Sequence, residues 1–86
     1  MKITTIVITL NEEGNISDCL KSISWVDEIV IVDAGSDDRT VEIAEGFTPL
    51  VFEPGWLGYV KAKEFAIEKS SNEWILWLDA DERITR

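Results

Sequence analysis

Histidine is missing altogether from these 86 residues, and cysteine, methionine and tyrosine occur once each. Without histidine, the side chain that titrates nearest neutral pH and the commonest metal ligand are both unavailable. Metal binding or proton transfer must then rest on other groups, above all carboxylates. A single cysteine, Cys19, excludes an intramolecular disulfide and fits a reducing cytoplasm. Its neighbours Ile16, Leu20 and Ile23 assign it to a core. Positive charge is scarce as well. Eight Lys and Arg against seventeen Asp and Glu leave a formal net charge of −9, which argues against nucleic acid or an anionic membrane surface as the main partner. Long apolar runs are also lacking. Ile6-Val7-Ile8 is broken by Thr4, Thr5 and Thr9 and is too short for a signal peptide or a membrane span. The expectation is a soluble, cytoplasmic chain without a transmembrane segment. No repeat, linker or low-complexity tract divides it, so residues 1–86 read as one domain or one piece of a domain. At that length folding buries only about 60–65% of the unfolded surface.

What is present is an alternation of two hydrophobic periods. Ile3 to Leu10 is rich in β-branched residues and reads as a strand ending at Asn11-Glu12-Glu13-Gly14. Ile16, Cys19, Leu20 and Ile23 then follow the i, i+3, i+4, i+7 spacing of an amphipathic helix, with Asn15 or Ser17 as its cap. Glu28 to Asp33 is a second strand, almost wholly apolar until its terminal aspartate. In the turn Ala34-Gly35-Ser36-Asp37-Asp38, Gly35 is free to take a positive φ and Ser36 or Asp37 is placed to cap a helix over about 39–45, stopped by Gly46. A third strand is expected over Phe47 to Phe52, interrupted by Pro49, and a longer helix from Tyr59 to Lys69. The fourth strand, Trp74 to Leu78, has no polar face, which predicts cover on both sides. Three strand-helix alternations predict an α/β fold with a Rossmann-like parallel sheet of about four strands and three helices.

In such a sheet the carboxyl ends of the strands share one edge, where open α/β sheets bind ligands. Asn11-Glu12, Asp33 and Asp79-Ala80-Asp81 all fall there. Alone, Asp79 and Asp81 read more readily as a helix cap and a solvated loop than as a site. Their convergence with Asp33 and Glu12 favours a site. Two like charges about 4 Å apart at an effective dielectric near 20 repel by roughly 4 kcal/mol. A diphosphate therefore needs a bridging cation here, and hard carboxylates suit Mg²⁺ or Mn²⁺. No Gly-x-Gly-x-x-Gly follows the first strand and no P-loop occurs, so neither usual phosphate cradle is available.

Ile8-Thr9-Leu10-Asn11-Glu12-Glu13, Ile31-Val32-Asp33-Ala34-Gly35-Ser36-Asp37-Asp38-Arg39-Thr40 and Leu78-Asp79-Ala80-Asp81 resemble the opening motifs of family-2 glycosyltransferases of the GT-A fold. Trp56-x-Gly58-Tyr59 with Lys63 and Phe65-Ala66, followed by Trp74-Ile75-Leu76 and Asp79-Ala80-Asp81-Glu82-Arg83, is similar to the branch that builds lipopolysaccharide cores. The resemblance implies that Thr9, Leu10 and Glu12 lie against a nucleoside and that Asp33 hydrogen-bonds the base or ribose. It implies that Asp79 and Asp81 form the Asp-x-Asp signature, with Asp81 on the metal and Asp79 nearer the ribose or sugar as well as on the metal. Lys63 then matches a basic position near the nucleotide, its other reading being a solvated helix lysine. Trp56 and Tyr59 line the donor pocket or belong to the core. Ala34, Glu64 and Val60 depart from residues common among relatives, the last two near the third helix.

The implied donor is a nucleotide-diphosphate sugar, UDP-linked, and the acceptor of a full enzyme is a cell-envelope glycan or lipid-linked glycan at the inner face of the membrane. Residues 1–86 are expected to hold the nucleotide-sugar-binding half of a GT-A fold, without the acceptor-binding half or its catalytic base, and to be inactive in isolation. The alternative is a non-catalytic module that self-associates through the fourth strand. A phosphatase with an Asp-x-Asp nucleophile would carry that pair after its first strand, where this chain has Asn11-Glu12.

Overall fold

The computed structural model describes residues 2–55 and 57–79, with Tyr59 and Asp79 described by their backbone. Its elements run β1 (Ile3–Thr9), α1 (Ile16–Ser22), β2 (Glu28–Asp33), α2 (Thr40–Glu45), β3 (Val51–Phe52), α3 (Tyr59–Lys69) and β4 (Trp74–Asp79). The four strands form one parallel sheet in the order β3-β2-β1-β4. Parallel neighbours cannot be joined by a tight turn, so each connection carries a helix across a face. From β1 the chain steps outward to β2 and β3, then returns to lay β4 on the other side of β1. That reversal puts a topological switch point between the carboxyl ends of β1 and β4.

The helices divide between the two faces. Val7, Ile31 and Leu78 pack with Ile16, Cys19, Leu20 and Ile23 from α1 and its end, and with Ala44 of α2. On the other face Ile6, Val30 and Val32 meet Ala62 and Ala66 of α3. The strand period of two sends successive residues of β1 and β2 into alternate clusters, which is why Ile6-Val7-Ile8 and Ile29-Val30-Ile31-Val32 are apolar on both faces. Ile6, Val7, Ile31 and Leu20 are wholly buried, and each such side chain contributes about 1.5–3 kcal/mol of burial. Cys19 lies in this core, as its spacing implied.

Several local expectations change. The third strand is confined to Val51–Phe52. The Thr48 hydroxyl donates to the Ile29 carbonyl of β2 at 2.8 Å and accepts from the Leu50 N–H at 3.1 Å, so a side chain takes backbone groups that ladder pairing would use, and Pro49 has no N–H to donate. Neither Asn15 nor Ser17 caps α1. Asn15 holds the cap position without a side-chain cap bond and donates its amide to Glu12 Oε2 at 3.0 Å. Neither Ser36 nor Asp37 caps α2; Asp38 Oδ1 instead accepts the Thr40 N–H at 3.0 Å. Gly46 does stop α2, but at φ −74° it uses no conformation special to glycine. Gly35, at φ +111°, does. The cover expected over β4 is partial on both faces: Leu78 is buried against α1 and α2 and Ile75 packs toward α3, whereas Trp74 and Trp77, on opposite faces of the strand, are exposed and β4 is the edge strand beside β1.

Candidate functional site at the carboxyl edge of the sheet

Register fixes which strand ends meet. Thr9 pairs with Asp33 across β1 and β2, and Ile8 pairs with Asp79 across β1 and β4. With strands about 4.8 Å apart, the ends of β2 and β4 stand about 10 Å apart with the end of β1 between them. The structure thus brings Thr9, Leu10, Glu12, Asp33 and the backbone of Asp79 to one edge. Asp81 lies outside the described residues, as does Trp56.

Asp33 is the hub of this edge and is almost inaccessible, 1% exposed. Its Oδ1 accepts from the hydroxyls of Thr9 and Ser36, each at 2.6 Å. Its Oδ2 accepts the backbone N–H groups of Gly35 at 3.0 Å and Ser36 at 2.7 Å. Burial pushes this carboxyl up, but the bonds from Ser36, Thr9 and the backbone of Ser36 and Gly35 outweigh it and hold the group below its ordinary value. Four donors fill the lone-pair sites of one carboxylate. Thr9 is buried too, its hydroxyl committed to Asp33.

Beyond the strand ends, two loops are stitched together. Asn11 takes φ +50°, a left-handed conformation that asparagine tolerates better than most residues. Its N–H donates to Ser36 Oγ at 2.9 Å, and its Oδ1 accepts the Asp37 N–H at 2.7 Å. The Glu12 N–H donates to Thr40 Oγ1 at 2.8 Å, and the Glu13 N–H to Asp38 Oδ2 at 3.2 Å. The Thr40 hydroxyl in turn donates to Asp38 Oδ1, and this bond leads those that hold the Asp38 carboxyl below its ordinary value. Ser36, Asp38 and Thr40 were not among the expected site residues. The one signal for them is the Asp33-x-x-Ser36 spacing, which suits an aspartate folding back on its own turn. Leu10 is left exposed and Glu12 half-buried.

Lys63 stands on α3, over the other face. Its Nζ lies 5.2 Å from the centroid of the Trp77 ring. Trp77 is two residues before Asp79, so the register places Lys63 beside the strand that ends at the switch point.

Residues 4–86 match the family model described as glycosyl transferase family 2. The chain belongs to that family. It is 36% identical over 92 residues to the lipopolysaccharide core biosynthesis glycosyltransferase LpsC of Rhizobium meliloti, covering 100% of this chain and 34% of LpsC. Among solved structures it is similar to S. aureus TarS in complex with UDP-GlcNAc, with TM-score 0.83, 30% identity, and coverage of 96% of this chain and 27% of that one. It is similar also to glucosyl-3-phosphoglycerate synthase of Mycobacterium tuberculosis in complex with Mn²⁺, UDP and glucosyl-3-phosphoglycerate: TM-score 0.79, 25% identity, coverage 95% and 35%. The chain therefore spans about a third of the curated relatives it matches. As a family-2 glycosyltransferase sequence it has the parallel α/β sheet expected of it, and none of its described helices is long and apolar enough to cross a membrane.

Proposed function

We propose that residues 1–86 are the nucleotide-sugar-binding part of a metal-dependent glycosyltransferase, which moves a sugar from a UDP-linked donor to a cell-envelope glycan or lipid-linked acceptor. The observation that carries this reading is the arrangement of strand ends, with Asp33 and Asp79 flanking the end of β1 at the switch point. Similarity to LpsC and to structures holding UDP-GlcNAc or UDP with Mn²⁺ supports the substrate class.

The donor chemistry of Asp79 and Asp81 fits a hard divalent cation, which is commonly held by one or two carboxylates plus substrate phosphates. Among the described residues no cluster of three or more candidate ligands forms, so the phosphates and water would complete the set. When bound, Mg²⁺ or Mn²⁺ supplies Lewis-acid charge against the departing diphosphate. The chain's own residues do the rest. Leu10 offers an exposed apolar contact to the nucleoside, and the backbone from Thr9 to Glu12 is held rigid by Ser36 and Thr40. Asp33 reaches the base or ribose by exchanging one of its four bonds, the Ser36 hydroxyl proton turning away while Oγ keeps the Asn11 N–H. Lys63 brings a cation to a diphosphate surrounded by carboxylates. The acceptor and its general base belong to parts of the enzyme beyond these residues, and the piece alone binds without turnover.

Calorimetric titration with UDP, with and without Mn²⁺, tests this. Binding is expected to require Mn²⁺ and to weaken at least tenfold when Asp79 and Asp81 are both replaced by Ala. Unchanged affinity in that variant removes the metal assignment. The exposure of Trp74 and Trp77 on the edge strand favours a second reading, self-association through β4. Sedimentation at several concentrations separates the two, because a clean monomer contradicts the second.

A further inference from the structure

α3 begins where the chain returns from the carboxyl end of β3 and runs back across the sheet, so its first half lies nearer the carboxyl edge than its last turn. Ala62 and Ala66 face the sheet and are buried. Lys63 lies beside them and extends its ammonium over Trp77, 5.2 Å from the ring centroid. Trp77 pairs in register with Ile6 and precedes Asp79 by two residues, about 6.6 Å along the strand. Two other cations are engaged elsewhere: Arg39 is paired with Glu42 at 2.7 Å, and Lys69 lies over Phe52 and Phe65 at 5.3 and 5.2 Å.

We infer that Trp77 is a positioning residue for Lys63, holding its ammonium within reach of the carboxyl edge so that it meets the diphosphate of a bound nucleotide. This rests on the donor-binding reading above. An aromatic face suits the task better than a carboxylate would. A carboxylate partner would cancel the lysine charge and compete with the phosphates, whereas the ring attracts the ammonium through its quadrupole and leaves the net charge in place. Lysine has a flexible four-carbon stem, and ordering it on binding weakens affinity. A ring that already confines the stem reduces that loss. Trp77 is 37% exposed, so the contact is in water and modest. At exposed sites such a pair corresponds to about a two- to fivefold change in an equilibrium constant.

The experiment is a double-mutant cycle on UDP affinity in the presence of Mn²⁺, using the wild-type chain, Lys63→Met, Trp77→Leu and the double variant. Trp77→Leu is expected to weaken binding about two- to fivefold, Trp77→Phe to restore most of it, and Trp77→Leu to have no further effect once Lys63 is Met. An equal effect of Trp77→Leu in both backgrounds shows a structural role only and overturns the inference. Lys63→Met binding UDP as well as the wild type does overturns it while leaving the donor-binding reading intact. A wild-type chain that binds no UDP overturns both. A readout independent of ligand and of variant folding is the proton spectrum of wild-type Lys63. Its ε-methylene is expected upfield from ring current, and an ordinary unshifted position overturns the contact on which the inference stands.

Discussion

The β1–β2 pair carries the same device at both ends, and the two copies behave differently. At each end a threonine of β1 donates to an acid of β2 in direct register: Thr9 to Asp33 at 2.6 Å at the carboxyl end, Thr4 to Glu28 at 2.9 Å at the amino end. Asp33 is buried and its remaining acceptor sites are filled by the turn that follows its own strand. Glu28 is half-exposed and its second bond, from the Ser71 N–H at 2.9 Å, ties down the loop before β4. The shorter side chain is drawn under its own loop, and the longer one reaches across to a distant segment. A carboxylate that organises the backbone around itself fixes the turn at its own strand end, whereas one that anchors a remote loop ties two segments of the sheet's other end together.

Substitution breaks the comparison most sharply. Asp33→Ala strands four donors, two of them backbone N–H groups, and at about 1.5–3 kcal/mol for a hydrogen bond to a charged group the loss is expected to reach about 3 kcal/mol or more after relaxation. Glu28→Ala leaves the exposed Ser71 N–H to water and the Thr4 hydroxyl with the Asn72 amide as its remaining partner, and about 1 kcal/mol is expected. Urea denaturation of both variants measures the difference, with Asp33→Asn available should Asp33→Ala fail to fold. Equal losses at the two ends refute the distinction between them.

Acid sharpens the same contrast. Both carboxyls lie below their ordinary values in the folded chain. For Glu28 burial pushes the group up, but the bonds from Ser71 and Thr4 outweigh it; for Asp33 the opposing causes are burial and the bonds of its own turn. A depressed folded-state pKa means that the unfolded chain binds more protons at the same pH, so stability rises with pH through this range. Each contribution is fully present above the ordinary value, 3.8 for Asp33 and 4.5 for Glu28, and is lost as pH falls through the folded-state value. Stability measured from pH 6 down to pH 2 is expected to fall less steeply in Asp33→Asn and in Glu28→Gln than in the wild type. The Glu28 effect sets in at the higher pH. An acid limb unchanged in both variants places the acid sensitivity elsewhere.

Strand ends were legible in the sequence because the buried parallel strands read as apolar runs that stop at polar residues. Asp33 and Asp79 are recognisable on that ground alone. The stitching of Asn11, Glu12 and Glu13 to Ser36, Asp37, Asp38 and Thr40 was not, because it depends on register between β1 and β2, and turn residues advertise a turn without naming their partners. β3 was overestimated because Phe47 to Leu50 has strand-like composition, while the Thr48 hydroxyl competes for backbone groups. The exposure of Trp77 was hidden by its setting within an unbroken apolar run, since a stretch with no polar face gives no sign of which residue is left uncovered.

β1 itself offers the finest test of the comparison, because three of its threonines are buried with three different fates. Thr9 donates to a fully engaged buried carboxylate. Thr4 donates to Glu28 and accepts from the Asn72 amide at 3.0 Å. Thr5, equally buried, has a hydroxyl with no partner among the described residues. Valine nearly matches threonine in shape, so Thr→Val exchanges chiefly the hydroxyl. Thr9→Val is expected to cost about 1.5 kcal/mol and Thr4→Val about 1 kcal/mol, since each removes a bond to a carboxylate and water can take the vacated place on half-exposed Glu28 but not on buried Asp33. Thr5→Val is expected to stabilise by about 1 kcal/mol, because an unpaired buried hydroxyl is replaced by a methyl group at no loss of hydrogen bonding. Midpoints of urea denaturation at a common slope read all three. A gain at Thr5 with losses at Thr4 and Thr9 shows that the partner, not burial, decides the sign, while a loss at Thr5 equal to that at Thr9 refutes the assignment of Asp33 as the source of the carboxyl-end stabilisation.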